Sequence, residues 1–525
     1  MYSSLFTIVS FLLFFSFFFI LLGKNKKQTR LPPGPWRLPF IGSLHHLIGR
    51  GHLHPNLRNL AQRYGPLMYL QLGEIPVVII SSSTIAKELL TTHDLDFADR
   101  PQSTSTTIIF YNNKDIVFSP YDNYCKQMRK ICKVQLFSAK MVKSFSTIRK
   151  DEISSLISSI RSTRDSPINM TEKIFWFTNS VTCSAAFGKM FKDRDEFIKL
   201  LKDILILASG FCVTDLFPSW KLLHKLSGAE SRLMNAHKKV DEIMEDILKE
   251  HLENKANRNK GIGDQFGGED LVDVLLKVTE DAKLECPITN DHIKAVILDI
   301  FIAGSETSST ITIWVLSEMM KNPTIMAKAQ KEVRQVFRGK KNYDNEEDLE
   351  KLTYLKLVIK ETLRLHTPAP LLGPRECREQ TNIDGYTIPL KTKILVNAWA
   401  LARDPESWHD PESFIPERFE NSSIDFMGNH FEFIPFGAGR RMCPGVLFGL
   451  TNVELSLAQL LYHFEWELPY GMNPKDLDMT ETYGLSGGKQ RDLYLVAIDK
   501  KHDNKLNLLV LYFFSSLSFS CHKLI

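Results

Sequence analysis

The segment Phe436-Gly437-Ala438-Gly439-Arg440-Arg441-Met442-Cys443-Pro444-Gly445 holds the most reactive grouping of side chains in the chain. A lone cysteine is most often a small buried hydrophobe. Cys443 differs, because it follows two arginines in a glycine-rich loop that can bend tightly, and a helical pattern starts just beyond it. A helix N-terminus and nearby cations both favour an anion, so this setting predicts a thiolate. A thiolate held in such a loop can ligate the iron of a haem. Phe436, Gly439, Arg441, Cys443 and Gly445 form a five-position pattern, which is far more specific than a single cysteine. Two other groupings point the same way. Glu361 and Arg364 stand at i and i+3 on a predicted helix and share a face. In Ala303-Gly304-Ser305-Glu306-Thr307, Gly304 falls in mid-helix, where it costs about 1 kcal/mol relative to Ala. The missing side chain opens a groove, and Thr307, about one turn on, brings its hydroxyl near the same place.

Together these motifs resemble the cytochrome P450 family of haem-thiolate monooxygenases, from the Pro-rich hinge to about Ala497. Within that family the chain is similar to the plant microsomal members that hydroxylate terpenoids and alkaloids, sesquiterpene oxygenases among them. The resemblance implies the P450 fold, mainly α with small β-sheets, in a single large haem domain behind an N-terminal transmembrane helix. It implies haem b with Cys443 as the axial ligand, and Arg441, Arg129 and Arg375 near the propionates. Phe436, Gly439 and Gly445 would shape the ligand loop. Arg418 of Pro416-Glu417-Arg418-Phe419 would join Glu361 and Arg364 in a buried triad, where losing one partner is costly. Dioxygen would sit in the groove beside Ala303 and Gly304, with Thr307 and Glu306 delivering protons. Substrate would meet Ile108, Phe211, Ile302, Ala369, Leu371, Leu372 and Leu485.

The chain departs from the family at three places. Cys125 stands where a tryptophan that binds a propionate is usual, although Arg129 of the same motif is present. Cysteine is a poor donor and much smaller, so one propionate contact is expected to be lost. Thr367 and Gly373 replace a usual Pro and a bulkier aliphatic. A tail from 498 to 525 extends past the family's usual end, and its apolar run is too short and interrupted for a second span.

The chain shows no flavin or nicotinamide fingerprint, so electrons must come from outside. The resemblance implies a NADPH–cytochrome P450 reductase as partner. Lys126, Arg129, Lys130 and Lys133 recur at helical spacing, and with Arg440 they form either a docking face for an acidic partner or a solvated cationic face. The implied reaction inserts one oxygen atom of O2 into a C–H bond of a small lipophilic plant metabolite, a sesquiterpene or other terpenoid. A haem-thiolate isomerase or dehydratase is a rival reading, which the Gly304, Glu306 and Thr307 set argues against. A membrane-anchored haem protein without turnover is another.

These residues need elements to position them. Residues 1 to 23 carry no charged side chain, and Leu5 to Leu22 is nearly all Leu, Phe, Ile and Val, long enough to cross a hydrocarbon core about 30 Å thick. Positive charges (Lys24, Lys26, Lys27, Arg30) follow the run, which argues for an uncleaved anchor over a cleaved signal peptide, with the domain on the cytosolic side; the resemblance implies the endoplasmic reticulum. A basic and Pro-rich hinge spans 24 to 35, and the haem domain 36 to 497. Leu67 to Leu72 and Pro76 to Ser81 read as a hairpin around Gly73-Glu74. Helical spacing covers Lys114 to Ala139, Glu230 to Glu253, Asp291 to Met320, Pro323 to Phe337, Leu352 to Leu365 and Val446 to His463. Strand-like pieces return at Lys391 to Val396 and Asp492 to Val496.

Composition is that of a globular protein. Lys plus Arg is 65 against 61 Asp plus Glu, so nothing in the charge balance calls for nucleic acid. The eight cysteines are scattered without a C-x-x-C pair, which reads as reduced thiols. His45, His46, His52 and His54 crowd one stretch but have no cysteine or carboxylate at ligand spacing, and are expected to be exposed loop histidines.

Overall fold

The computed structural model describes residues 30–500, apart from 50, 164–165, 189–193, 208–212, 221–227, 260–268, 339, 341–345 and 483–486. The expected anchor, the first half of the basic hinge (24–29), the C-terminal tail from 501 and the pocket candidates Phe211 and Leu485 lie outside the described residues.

The chain folds as helices around a small sheet at one edge. The helices include α1 (Leu53–Tyr64), α2 (Thr104–Ile109), α3 (Asn123–Ile131), α4 (Met170–Phe187), α5 (Ala229–Asn259), α6 (Asn290–Lys321), α7 (Pro323–Phe337), α8 (Thr353–Leu365) and α9 (Val446–His463), of which α3, α6, α8 and α9 border the site. The strands are β1 (Leu67–Leu72), β2 (Ile75–Ile80), β3 (Ile168–Asn169), β4 (Arg375–Glu376), β5 (Thr381–Ile383), β6 (Tyr386–Ile388), β7 (Lys393–Val396), β8 (Phe464–Glu467) and β9 (Tyr494–Asp499). One sheet has the order β1-β2-β7-β4, a second β3-β9-β8, and β5-β6 is a separate hairpin. β1 and β2 are antiparallel with Leu67 opposite Ile80, turning at Gly73 in the left-handed region (φ 60°). The expected hairpin is present.

α6 is the axis of the molecule. It is apolar nearly all round, which marks a helix enclosed by others, and it packs against α4, α8 and α9. Among the described residues it is the helix long and apolar enough to cross a bilayer, yet it lies within the main apolar core. α7 and α9 have the bounds that the spacing predicts. The expected helix from Lys114 starts only at Asn123, where the Asp122 carboxylate accepts from the Cys125 N–H at 2.8 Å and caps it. Upstream, Tyr111, Asn112 and Asn113 have positive φ and Pro120 intervenes, so 111–122 is a loop. That loop borders the site.

The expectation of exposed histidines fails at all four positions, since His46 and His54 are buried and His45 and His52 half-buried. His54 is 1% exposed, and its Nε2 lies 2.6 Å from Glu481 Oε2. Glu481 Oε1 lies 3.7 Å from His366 Nδ1, whose Nε2 pairs with Glu318 at 2.7 Å. The carboxylate partner of His54 sits 427 residues away in sequence, where spacing cannot reveal it.

Candidate functional site

The Cys443 loop faces the middle of α6 across a cavity that leaves about 290 Å³ for the centres of water-sized molecules. On the loop side Phe436, Gly437, Ala438, Arg441, Cys443 and Gly445 border it; on the helix side, Asp299, Ala303, Gly304 and Thr307. The loop is closed by the Cys443 N–H, which donates to Phe436 O at 2.9 Å. Gly437 and Gly439 both adopt positive φ (71° and 67°). At Gly439 a Cβ would lie 2.6 Å from Asp94 Oδ2 and 2.7 Å from Leu90 O, so only glycine lets the loop press against that segment. The close approach lets the Arg440 N–H donate to Asp94 Oδ2 at 2.8 Å. Gly445 then caps α9.

The exposed surface of Cys443 opens onto the cavity, while protein surrounds the residue. Burial pushes its thiol up, against the downward pull of the Gly445 N–H and of Arg129. The expectation that both loop arginines favour the thiolate is therefore corrected. Arg440 turns outward to Tyr121 Oη at 3.2 Å, and Arg441 is spent on the carbonyls of Ala98, Ile116 and Ser119. A coordinating metal deprotonates its thiol outright, so ligation itself supplies the thiolate.

At one end of the cavity Arg100, Arg129, Arg375 and Arg441 converge. Arg375 pairs with Asp94 at 2.5 Å, whereas Arg129 donates to Met442 O and Arg100 to the carbonyls of Val117, Gly373 and Pro374. Burial, and then repulsion by Arg441, Arg375 and Arg129, lowers the Arg100 pKa well below its ordinary value. Four cations around one open space with one directly paired carboxylate call for an anionic guest. A porphyrin bearing carboxylates fits this donor set: one thiol for its metal and an excess of guanidinium at one end. Arg441, Arg129 and Arg375 are where the sequence expects them. Arg100 is not legible there, since a lone Arg before Pro101 carries no motif.

Cys125 is fully buried with Ala98 and Tyr121 and does not border the cavity. On α6, Thr307 Oγ1 donates to Ala303 O at 2.6 Å, which leaves its oxygen lone pairs facing the cavity. Gly304 borders the cavity, and a Cβ there would meet Thr182 at 3.4 Å and Phe448 at 3.6 Å. Those are ordinary contacts, so crowding does not force glycine; the open groove remains its consequence. Glu306 lies off the cavity wall.

The triad is assembled as the spacing implies. Glu361 receives Arg364 Nε and Nη2 at 2.8 Å each and Arg418 Nε at 2.9 Å, with Glu361 and Arg364 both fully buried. Of the pocket candidates, Ala369 and Leu372 border the cavity; Ile108, Ile302 and Leu371 do not. Ile302 is turned by one helix step from Ala303 and packs into the main core. Leu371 faces the apolar cluster on the sheet with Leu57 and Met68, and Ile108 packs on the main core. Ile116, Val117 and Ile300 also border the cavity, and no motif in the sequence singles them out.

This fold and this site define a haem-thiolate protein, built on a long core helix and a cysteine loop. The chain belongs to the cytochrome P450 family, whose pattern it matches over residues 32–495. It is 56% identical over 496 residues to the premnaspirodiene oxygenase of Hyoscyamus muticus, covering 94% of this chain and 98% of that protein. It is also 56% identical over 498 residues to the 5-epiaristolochene 1,3-dihydroxylase of Nicotiana tabacum, again covering 94% and 98%. A zebra fish cytochrome P450 solved with progesterone shares the fold, with a TM-score of 0.71 over 85% of this chain and 99% of that one at 24% identity. The protein is a haem-dependent monooxygenase.

Proposed function

We propose that the enzyme oxygenates a sesquiterpene or a similar small terpenoid, with electrons passed from NADPH by a reductase. The observation that carries this reading is the apolar part of the cavity lining, where Ile116, Val117, Ile300, Ala369 and Leu372 offer surface to the same space as the groove of Ala303 and Gly304. Two relatives at 56% identity carry names of sesquiterpenoid oxidation.

In this reading Cys443 holds the iron and Arg100, Arg129, Arg375 and Arg441 hold the propionates. When bound, the haem supplies the activation of dioxygen and the transfer of one oxygen atom to a C–H bond. The chain's own share is positioning and proton control. Thr307 keeps a hydroxyl at the groove, and Glu306, one residue before it, relays protons toward solvent. The Glu361, Arg364 and Arg418 triad braces α8 against the segment that precedes the cysteine loop.

The reductase would dock on the face where Lys126, Lys130 and Lys133 are exposed beside Arg440. Arg129 leaves that set, being turned toward Cys443. Trp36, Phe40 and Ile48 are 61%, 74% and 70% exposed just after the expected anchor. Such a patch supports a domain lying against the cytosolic face of the endoplasmic reticulum, tethered by residues 1–23.

The test is reconstitution of the full chain with a NADPH–cytochrome P450 reductase and premnaspirodiene as substrate. A hydroxylated product that requires both NADPH and O2 is expected, as is a thiolate-type carbon monoxide difference spectrum that Cys443→Ser abolishes. A product formed equally without reductase would favour the isomerase or dehydratase reading.

A further inference from the structure

Segment 115–119 runs beside the cavity as a series of bends, outside any helix or strand. Side chains nevertheless occupy its peptide groups. On the N–H side, Asp299 Oδ2 accepts from Ile116 at 2.8 Å and from Val117 at 3.1 Å. Asp115 Oδ2 accepts from Val117 at 3.1 Å and from Phe118 at 2.7 Å. On the carbonyl side, Arg441 donates to Ile116 and Ser119, Arg100 to Val117 at 2.9 Å, and Gln102 to Phe118 at 2.9 Å. The segment is gripped between two carboxyl groups and two of the arginines that face the expected propionates. Ile116, Val117 and Asp299 itself border the cavity.

The two carboxyl groups are neighbours. Asp115 is fully buried and Asp299 is 4% exposed, and both accept from the same Val117 N–H. Burial pushes Asp115 up to about 6 and Asp299 well above the usual carboxylate range. After burial, the charge of neighbouring Asp115 raises Asp299 further, so the pair favours a protonated Asp299. Asp115 Oδ1 is buried and has no hydrogen-bond partner among the described residues. The remaining titratable groups around the pair are Arg100, whose charge faces Asp115, and the Tyr124 phenol and Cys132 thiol, both kept protonated by burial.

We infer that Asp115 and Asp299 are positioning residues that clamp segment 115–119 to α6, and so fix the Ile116 and Val117 portion of the wall that orients substrate. The inference rests on the substrate reading above only for its choice of probe. Asparagine at 299 keeps an acceptor for the Ile116 and Val117 N–H groups and offers an N–H to Asp115. Alanine removes both. When the proton leaves Asp299 at alkaline pH, two carboxylates face each other and the grip loosens; asparagine has no such proton to lose.

The test compares holoenzymes of the wild type, Asp299→Ala and Asp299→Asn by amide hydrogen exchange over residues 113–121 and by turnover of premnaspirodiene. Asp299→Ala is expected to speed exchange of this segment about tenfold and to change the product ratio, raising KM more than it lowers kcat. Asp299→Asn is expected to restore wild-type exchange and products. Across the alkaline range, exchange corrected for its intrinsic rate should rise in the wild type and stay level in Asp299→Asn. That comparison decides the matter even where Asp299→Ala does not fold. Unchanged exchange or products in Asp299→Ala, an Asp299→Asn variant no better than Asp299→Ala, or equal pH dependence in wild type and Asp299→Asn would overturn the clamp. A wild type that does not oxidise premnaspirodiene would defeat the substrate reading alone, leaving exchange to judge the clamp.

Discussion

Two buried arginine clusters sit in this molecule and are finished in different ways. In the Glu361 set, both carboxylate oxygens are taken by Arg364 and Arg418, the Ile415 N–H adds a further bond, and the remaining guanidinium donors meet the carbonyls of Ala402, Pro411 and Ser413. In the cavity set, four arginines surround open space and, among the described residues, only Arg375 has a direct ion pair, to Asp94. Both sets place cations away from water, which is costly without partners. The protein completes the first by itself, whereas the second is complete only when an anionic molecule enters.

Removing a partner should therefore act on folding in one cluster and on haem in the other. The largest effect is expected for Glu361→Ala, which strands Arg364 and Arg418 and should cost about 3–5 kcal/mol in denaturant unfolding. Next, Arg129→Met takes a half-buried cation from the cavity set. Haem loss to an acceptor protein should become easier by about 1.5–3 kcal/mol, roughly 10- to 150-fold, with little change in unfolding of the chain. Haem retention unchanged in Arg129→Met would erase the distinction between the clusters.

A third buried set sharpens the contrast through pH. Burial raises the Glu481 pKa, but the hydrogen bond from His54 and the nearby imidazoles of His54 and His366 outweigh it and hold the group below the usual carboxylate range. A depressed acid stabilises the fold above its unfolded pKa, near 4.5, and loses that contribution as pH falls below it. Thermal scans should show stability dropping on acidification by about 1–3 kcal/mol from this group, and Glu481→Gln should flatten that limb. The smallest effect is expected for Cys125→Trp. An indole must displace Ala98 and Tyr121 from a closed cluster, for about 1 kcal/mol of stability lost. Its added N–H donor should nonetheless slow haem release.

The cysteine loop, the Glu361 and Arg364 pair and the long helices are legible in the sequence because each rests on short spacing: ten consecutive residues, an i, i+3 pair, or a repeated apolar stripe. Arg418 joins the pair only through the family resemblance. What the sequence conceals depends on distant partners. Arg100 and Asp299 matter through peptide groups of 116–119, and His54 through Glu481. Apolar spacing also runs on through Lys114 to Asp122, where carboxylates take the N–H groups that a helix would use. Ile302, Leu371 and Ile108 lie in the expected neighbourhood but on the wrong face, since a helix step or a sheet side decides which way an apolar residue turns.

The absent side chain at Gly439 has a consequence for how the enzyme comes into being. Its backbone rests on Leu90 and Asp94, and the neighbouring amide of Arg440 bonds a carboxylate 346 residues earlier. The seat of the sulfur is thus moulded by the first hundred residues, though the sulfur itself belongs to the last hundred. Contacts of such long range form late and slowly. A ribosome must release almost the entire polypeptide before the pigment has anywhere to settle.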